Sequence, residues 1–141
     1  MSLTSEEIHK QLSAVLDLRS IDFEATVLGA GSDDIEAGRS YLGRLAEGGW
    51  MVPSWPSEYG GRNADSKEVA QIAEALDDYE AVDLYPYGVG LSLVGPVLLE
   101  CGTSEQRTRW LRSIADGSEI WCQMFSEPNA GSDLANAGMR A

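Results

Sequence analysis

A chain of 141 residues with 43% apolar and 23% charged side chains has the make-up of a water-soluble globular protein, long enough to bury a core. Its formal net charge of −13 argues against non-specific nucleic-acid binding and against adsorption to an anionic membrane. The single histidine, His9, rules out a histidine-rich metal site and a Ser-His-Asp triad within the chain. It reads as a solvated helix residue. Cys101 and Cys122 form no Cys-x-x-Cys pattern and read as reduced thiols of a cytoplasmic protein. No secretory signal is predicted, because the polar N-terminus reads directly as a helix start. The most apolar stretch, residues 89–99, is too short to span a bilayer and is interrupted by Gly95-Pro96.

The first helix is announced by a capping box from Thr4 to Glu7, after which Ile8, Leu12, Val15 and Leu16 recur on one face. Residues 21–31 carry a weaker signal and end in Gly29-Ala30-Gly31-Ser32. Ser32 is placed to cap a second helix over roughly 33–47, with Asp33 and Asp34 near its positive end. Ile35, Tyr41, Leu42 and Leu45 form its apolar face, and Gly48-Gly49 end it.

A structured loop follows, "WMVPSWPSEYGGRNADS", in which Tyr59-Gly60-Gly61 reads as a tight turn packed under an aromatic ring. A third helix is expected from about Ser66 to Val82, with Val69, Ile72, Ala73 and Leu76 inward. A fourth, about 86–100, is apolar on nearly every side and is expected to be buried. Ordinary core is the commoner role for such a helix; the lining of an apolar pocket is the other. Gly102 closes it. A fifth helix starts at Thr103 or Ser104, buries Trp110, Leu111 and Ile114, and ends at Asp116-Gly117.

Only then does a strand-like segment arrive, Glu119 to Phe125. A lone strand has unpaired backbone groups on both edges, so a sheet domain is expected to start here or a partner to complete it. The chain then enters "SEPNAGSD", residues 126–133. Alone, this is turn chemistry. The turn is the favoured reading; the functional one beside it is an anion cradle, with Gly131 admitting a close approach and Ser132 offering a hydroxyl. No G-x-G-x-x-G or Walker pattern is present.

Three stretches occur in a telling order: "GWMVPSWPSEYGG" (49–61), "GTSEQRTRWLRSIADG" (102–117) and "WCQMFSEPNAGSDLAN" (121–136). Together they resemble the acyl-CoA dehydrogenase family of flavoenzymes. The last is similar to that family's signature, aromatic-x-x-Thr/Ser-Glu-Pro-x-Ala-Gly-Ser-Asp, in the form found in actinobacterial branches acting on fatty-acyl or steroid-derived thioesters. The resemblance runs from about residue 5 onward. It implies an all-α, up-down bundle-like N-terminal helical domain over 1–117. It also implies that 118–141 begin an incomplete flavin-binding β-domain with its first strand.

The resemblance further implies FAD as cofactor, contacted by Gln123, Met124, Phe125, Ser126 and Ser132. Ser132 would also touch the thioester region of the acyl-CoA substrate, and Val89, Leu91 and Leu93 would flank the acyl pocket. The reaction implied is α,β-desaturation of an acyl-CoA, with electrons leaving to an electron-transfer flavoprotein or similar acceptor. A homo- or hetero-oligomer is expected, with no nucleic acid and no membrane insertion. Departures exist: Ser126 replaces the commoner Thr but keeps its hydroxyl, and Asn129 stands where Gly is frequent. Family chains are more than twice as long, and no acidic residue here matches the catalytic Glu, so this chain holds no catalytic residue. Glu127, beside Pro128, is expected to order the backbone. The chain reads as the N-terminal portion of such an enzyme, inactive by itself. Two alternatives stand beside this reading: a non-catalytic helical subunit pairing with a full-length dehydrogenase, and an acyl-CoA oxidase or flavin monooxygenase of the same fold.

Overall fold

The computed structural model describes residues 3–19, 34–124, 126–128, 130–133, 135, 137 and 138. Among these residues five α-helices appear in chain order: α1 (Ser5–Leu12), α2 (Ile35–Ala46), α3 (Ser66–Leu76), α4 (Gly95–Cys101) and α5 (Ser104–Ala115). Two short 3-10 turns, Ser57–Tyr59 and Tyr85–Tyr87, and one π-helical turn, Gly90–Val94, lie between them.

Local chemistry sets the helix starts. The Thr4 hydroxyl accepts from the Glu7 N–H at 3.3 Å, while the Glu7 carboxylate accepts from the Thr4 N–H at 2.8 Å, so two orphan donors are met reciprocally. Thr103 and Gln106 repeat the device at α5. At α2 the cap is Asp34, which accepts from Ala37 N–H at 3.0 Å. Ser32, Asp33 and the whole 21–31 segment lie outside the described residues.

The apolar faces close two core clusters. One joins Ile8 and Leu12 of α1, Tyr41 and Leu45 of α2, and Ile72 and Ala75 of α3, with Trp50 between them. The other joins Val52 and Trp55 to Leu98 of α4 and to Leu111, Ile114 and Ala115 of α5. Burial holds the Tyr41 and Tyr87 phenols above their ordinary pKa. Tyr87 donates to the Ile35 carbonyl at 2.7 Å and fills the space a side chain on Gly38 would need. The Tyr59-Gly60-Gly61 turn is structural, as its residues suggest. Gly60 takes a left-handed φ of 95°, and Gly61 lies so close to the Trp55 carbonyl that a Cβ would not fit.

Several expectations need correction. The third helix stops at Leu76 rather than Val82, because residues 78–80 turn back to pair with 17–19. Arg19 N–H donates to the Asp78 carbonyl and Glu80 N–H to the Asp17 carbonyl, both at 2.9 Å. On the same helix Ala73 is exposed, while Glu68, Ile72 and Ala75 are buried and Leu76 packs against the first core cluster. The fourth helix is neither continuous nor wholly buried: Leu93 is 46% and Val97 61% exposed, and within 86–100 the buried residues are Tyr87, Gly90, Gly95 and Leu98.

The π turn has a cause in the sequence. Pro96 has no N–H, and its ring would strike the carbonyl four residues back in a regular α-helix. A wider turn, with Gly95 N–H bonded to the Gly90 carbonyl, relieves this. Finally, residues 119–124 form no strand. A ladder needs a partner, and among the described residues only isolated bridges occur. His9 is also less solvated than expected: it is half-buried, its ring 6.1 Å from Tyr79, whose hydroxyl donates to the His9 carbonyl.

Candidate functional site

The segment after α5 is tied back onto that helix, and this creates the site. Glu119 N–H donates to the Ser113 carbonyl at 3.1 Å, and the Ser113 hydroxyl and Arg109 both donate to the Glu119 carboxylate, at 2.9 and 2.8 Å. The chain then delivers Trp121 edge-on against Trp110, with ring centroids 5.7 Å apart and planes at 88°. Trp121 also meets the backbone of the π turn. A Cβ built on Gly90 would lie 3.4 Å from the Trp121 ring and 3.3 Å from Ile114.

Between this strap and the chain leading into α4 runs an open groove of about 900 Å³. One wall is residues 83–93, including Leu84, Tyr85, Val89, Ser92 and Leu93; the other is residues 120–123, Ile120 to Gln123. The lining is mainly apolar, which suits an alkyl or alicyclic group. Asp83, Ser92 and Gln123 are among its polar residues. Asp83 and Trp121 line the groove, yet Asp83 Oδ2 and Trp121 Nε1 are buried without a hydrogen-bond partner. The other Asp83 oxygen accepts from Tyr85 N–H at 2.8 Å.

Of the residues singled out in the sequence, Val89, Leu93 and Gln123 meet in this groove. Leu91 points elsewhere, into the second core cluster. Met124 (79% exposed), Ser126 and Ser132 stand outside the groove lining on the surface, and Phe125 lies outside the described residues. Sequence reasoning missed Asp83, Ser92 and Trp121. Trp121 opens the signature stretch, which was the one available signal; Asp83 had none.

The signature loop is a closed turn. Glu127 and Ala130 exchange backbone bonds at 2.7 and 3.1 Å, and the Glu127 carboxylate accepts from Gly138 N–H at 2.8 Å. Glu127 therefore orders backbone, as its place beside Pro128 suggested. Among the described residues no group of three or more His, Cys, Asp or Glu side chains could hold a metal ion, and no helix is long and apolar enough to cross a membrane. Both cysteines are free and exposed.

Residues 6–118 match the family described as acyl-CoA dehydrogenase, N-terminal domain. The chain belongs to the acyl-CoA dehydrogenase family. Its helical architecture is the N-terminal helical domain of the acyl-CoA dehydrogenase fold. An acyl-CoA dehydrogenase of Mycolicibacterium smegmatis, IpdE1, is 42% identical over 106 residues, covering 75% of this chain and 27% of that protein. Acyl-CoA dehydrogenase FadE34 of Mycobacterium tuberculosis is 40% identical over 99 residues, 69% of this chain and 13% of that protein. The ChsE4-ChsE5 complex from Mycobacterium tuberculosis aligns over 97% of this chain and 34% of its own, with a TM-score of 0.56 and 26% identity. A variant of the Tcur3481-Tcur3483 steroid ACAD aligns over 96% of this chain and 35% of its own, with a TM-score of 0.54 and 26% identity. The chain thus spans about a quarter of the length of the IpdE1 dehydrogenases it matches.

Proposed function

We propose that this chain is the N-terminal, substrate-facing part of an FAD-dependent acyl-CoA dehydrogenase that desaturates an acyl-CoA thioester between Cα and Cβ. The observation that carries the reading is the groove, where Val89 and Leu93 of the helical region face Gln123 at the entrance to the signature stretch. In this reading 1–117 form the helical domain and 118–141 open the flavin-binding β-domain. The enzyme works in the cytoplasm, on a fatty-acyl or steroid-derived thioester, with an electron-transfer flavoprotein or similar acceptor.

The residues present fit such a cofactor. Gln123, Ser126 and Ser132 are exposed polar groups, and nothing lies within 4 Å of where a Cβ on Gly131 would sit, so hydroxyl, amide and backbone donors can approach a polar ring edge or a phosphate. When bound, FAD supplies the two-electron sink for the hydride leaving Cβ. The chain's own residues do the rest of what falls to them. Val89 and Leu93 seat the alkyl part and exclude water from it. Gln123, Met124, Phe125 and Ser126 are proposed to run along the flavin, and Ser132 to reach the nucleotide and the thioester end. The carboxylate that removes the α-proton comes from outside this chain.

The test uses the complete enzyme with its FAD, mixed anaerobically with an acyl-CoA. Visible flavin absorbance is expected to bleach, and Val89→Trp, which fills the groove, should abolish bleaching by substrate without lowering FAD content. Unchanged bleaching in that variant would remove the groove from the reaction. The similarity to a complex of two named components, ChsE4 and ChsE5, favours one second reading, a helical subunit of a hetero-oligomer. Co-purification with a second dehydrogenase-like chain, and no bleaching without it, would mark that case.

A further inference from the structure

The two walls of the groove are held in different ways. Residues 83–93 are rooted in the core, where Tyr87 and Gly90 are buried and the Tyr87 hydroxyl donates to the Ile35 carbonyl at 2.7 Å. Residues 120–123 have no such root. No residue from 120 to 124 makes a backbone hydrogen bond with another described residue. One turn of α5 fixes this wall instead. Arg109 and the Ser113 hydroxyl each take one carboxylate oxygen of Glu119, at 2.8 and 2.9 Å, and the Ser113 carbonyl accepts the Glu119 N–H at 3.1 Å. Arg109 and Ser113 are four residues apart, so they share a helix face and can grip one carboxylate. The Ser113 hydroxyl also faces the Trp110 carbonyl at 2.9 Å, so its one hydrogen is shared and Arg109 is the firmer half of the grip. Trp110, between them in sequence, packs against the edge of Trp121.

Such a grip adds little stability, because Arg109 is exposed and Glu119 half-buried, and ion pairs open to water contribute little. Its consequence is one of place. Glu119 is not part of the groove lining, but Ile120, the next residue, is, and so are the three that follow. We infer that Glu119 is a positioning residue for acyl binding: clamped to Arg109 and Ser113, it sets where the 120–123 wall stands opposite Val89 and Leu93. A released wall leaves part of the alkyl group in water and weakens its binding. The base and the hydride acceptor of the proposed reaction are not part of this wall, so release shows in binding and little in the chemical step. The inference rests on the groove being the acyl site of the proposed dehydrogenase, and it names a residue on which that site depends.

The complete FAD-loaded enzyme would be mixed anaerobically with octanoyl-CoA and, separately, with cyclohexylacetyl-CoA. The limiting rate of flavin bleaching and the thioester concentration giving half that rate would be recorded. Glu119→Ala should raise the half-saturating concentration roughly tenfold, the effect of losing about one methylene of pocket contact, and leave the limiting rate within about twofold. Arg109→Ala should shift it in the same direction, and the double variant no further than Glu119→Ala, because both remove one shared bond. Glu119→Gln keeps the reach and an oxygen for Arg109, so it should bind nearly as the parent does. Glu119→Asp keeps the charge but falls short of both partners, so it should resemble Glu119→Ala. If Glu119→Ala does not load FAD, Arg109→Ala and the contrast of Gln with Asp decide the matter. An unchanged half-saturating concentration in the variants, or full binding by Glu119→Asp, overturns this inference and leaves the dehydrogenase reading standing. No bleaching of the unaltered enzyme by either thioester overturns both.

Discussion

Arg62 shows how much one residue can carry. Its guanidinium lies 4.0 Å over the Trp50 ring, donates to the Gly48 carbonyl at 2.9 Å and reaches the Glu68 carboxylate at 3.2 Å. The Arg62 and Glu68 side chains are only 17% and 9% exposed, so this is a largely buried pair. Removing one partner of such a pair strands the other charge. Arg62→Ala is therefore expected to cost about 3–5 kcal/mol, read from the urea unfolding midpoint, and adding Glu68→Gln should recover part of it. A loss below about 1 kcal/mol would class the pair with ordinary surface ion pairs. None of this was legible in the sequence. A glutamate in the first turn of α3 reads as a helix-dipole partner, and only the folded loop brings Arg62 over to draw it inward.

At the scale of elements, legibility followed locality. The capping boxes at Thr4 and Thr103 and the apolar face of α1 involve residues three or four apart, so the sequence displays them directly. The end of α3 depended on pairing with residues 17–19, and the form of the fourth helical segment on a conflict between its apolar character and Pro96. The site divided in the same way. Val89, Leu93 and Gln123 were identifiable through family likeness, while Asp83 and Trp121 gain meaning only from a groove joining segments some thirty residues apart. Pro96→Ala tests the cause assigned to the π turn. The new N–H should bond the Ser92 carbonyl, return the turn to α geometry and rotate Leu93 by about 100° away from the groove. Amide exchange would show one additional protected N–H near residue 96. If the pattern over 90–97 stays as it was, Pro96 is not what widens the helix.

For the whole molecule, charge and core act against each other. A net charge of −13 on a chain this small repels itself, and the ion pairs Arg39–Glu36, Arg44–Glu80 and Arg109–Glu119 lie at least partly in solvent, where they contribute little. Screening should therefore help folding. The thermal midpoint is expected to rise by several degrees between about 0.02 M and about 0.3 M sodium chloride, as the Debye length shortens below the spacing of surface carboxylates. A fall over that range would mean the ion pairs outweigh the repulsion.

The contact of Trp121 with Trp110 and Gly90 has one more consequence. An indole that lines the groove and also touches the core is a built-in fluorophore at the point of occupancy. Filling the groove changes the polarity around that ring. The molecule thus carries its own optical readout of whether the groove is filled.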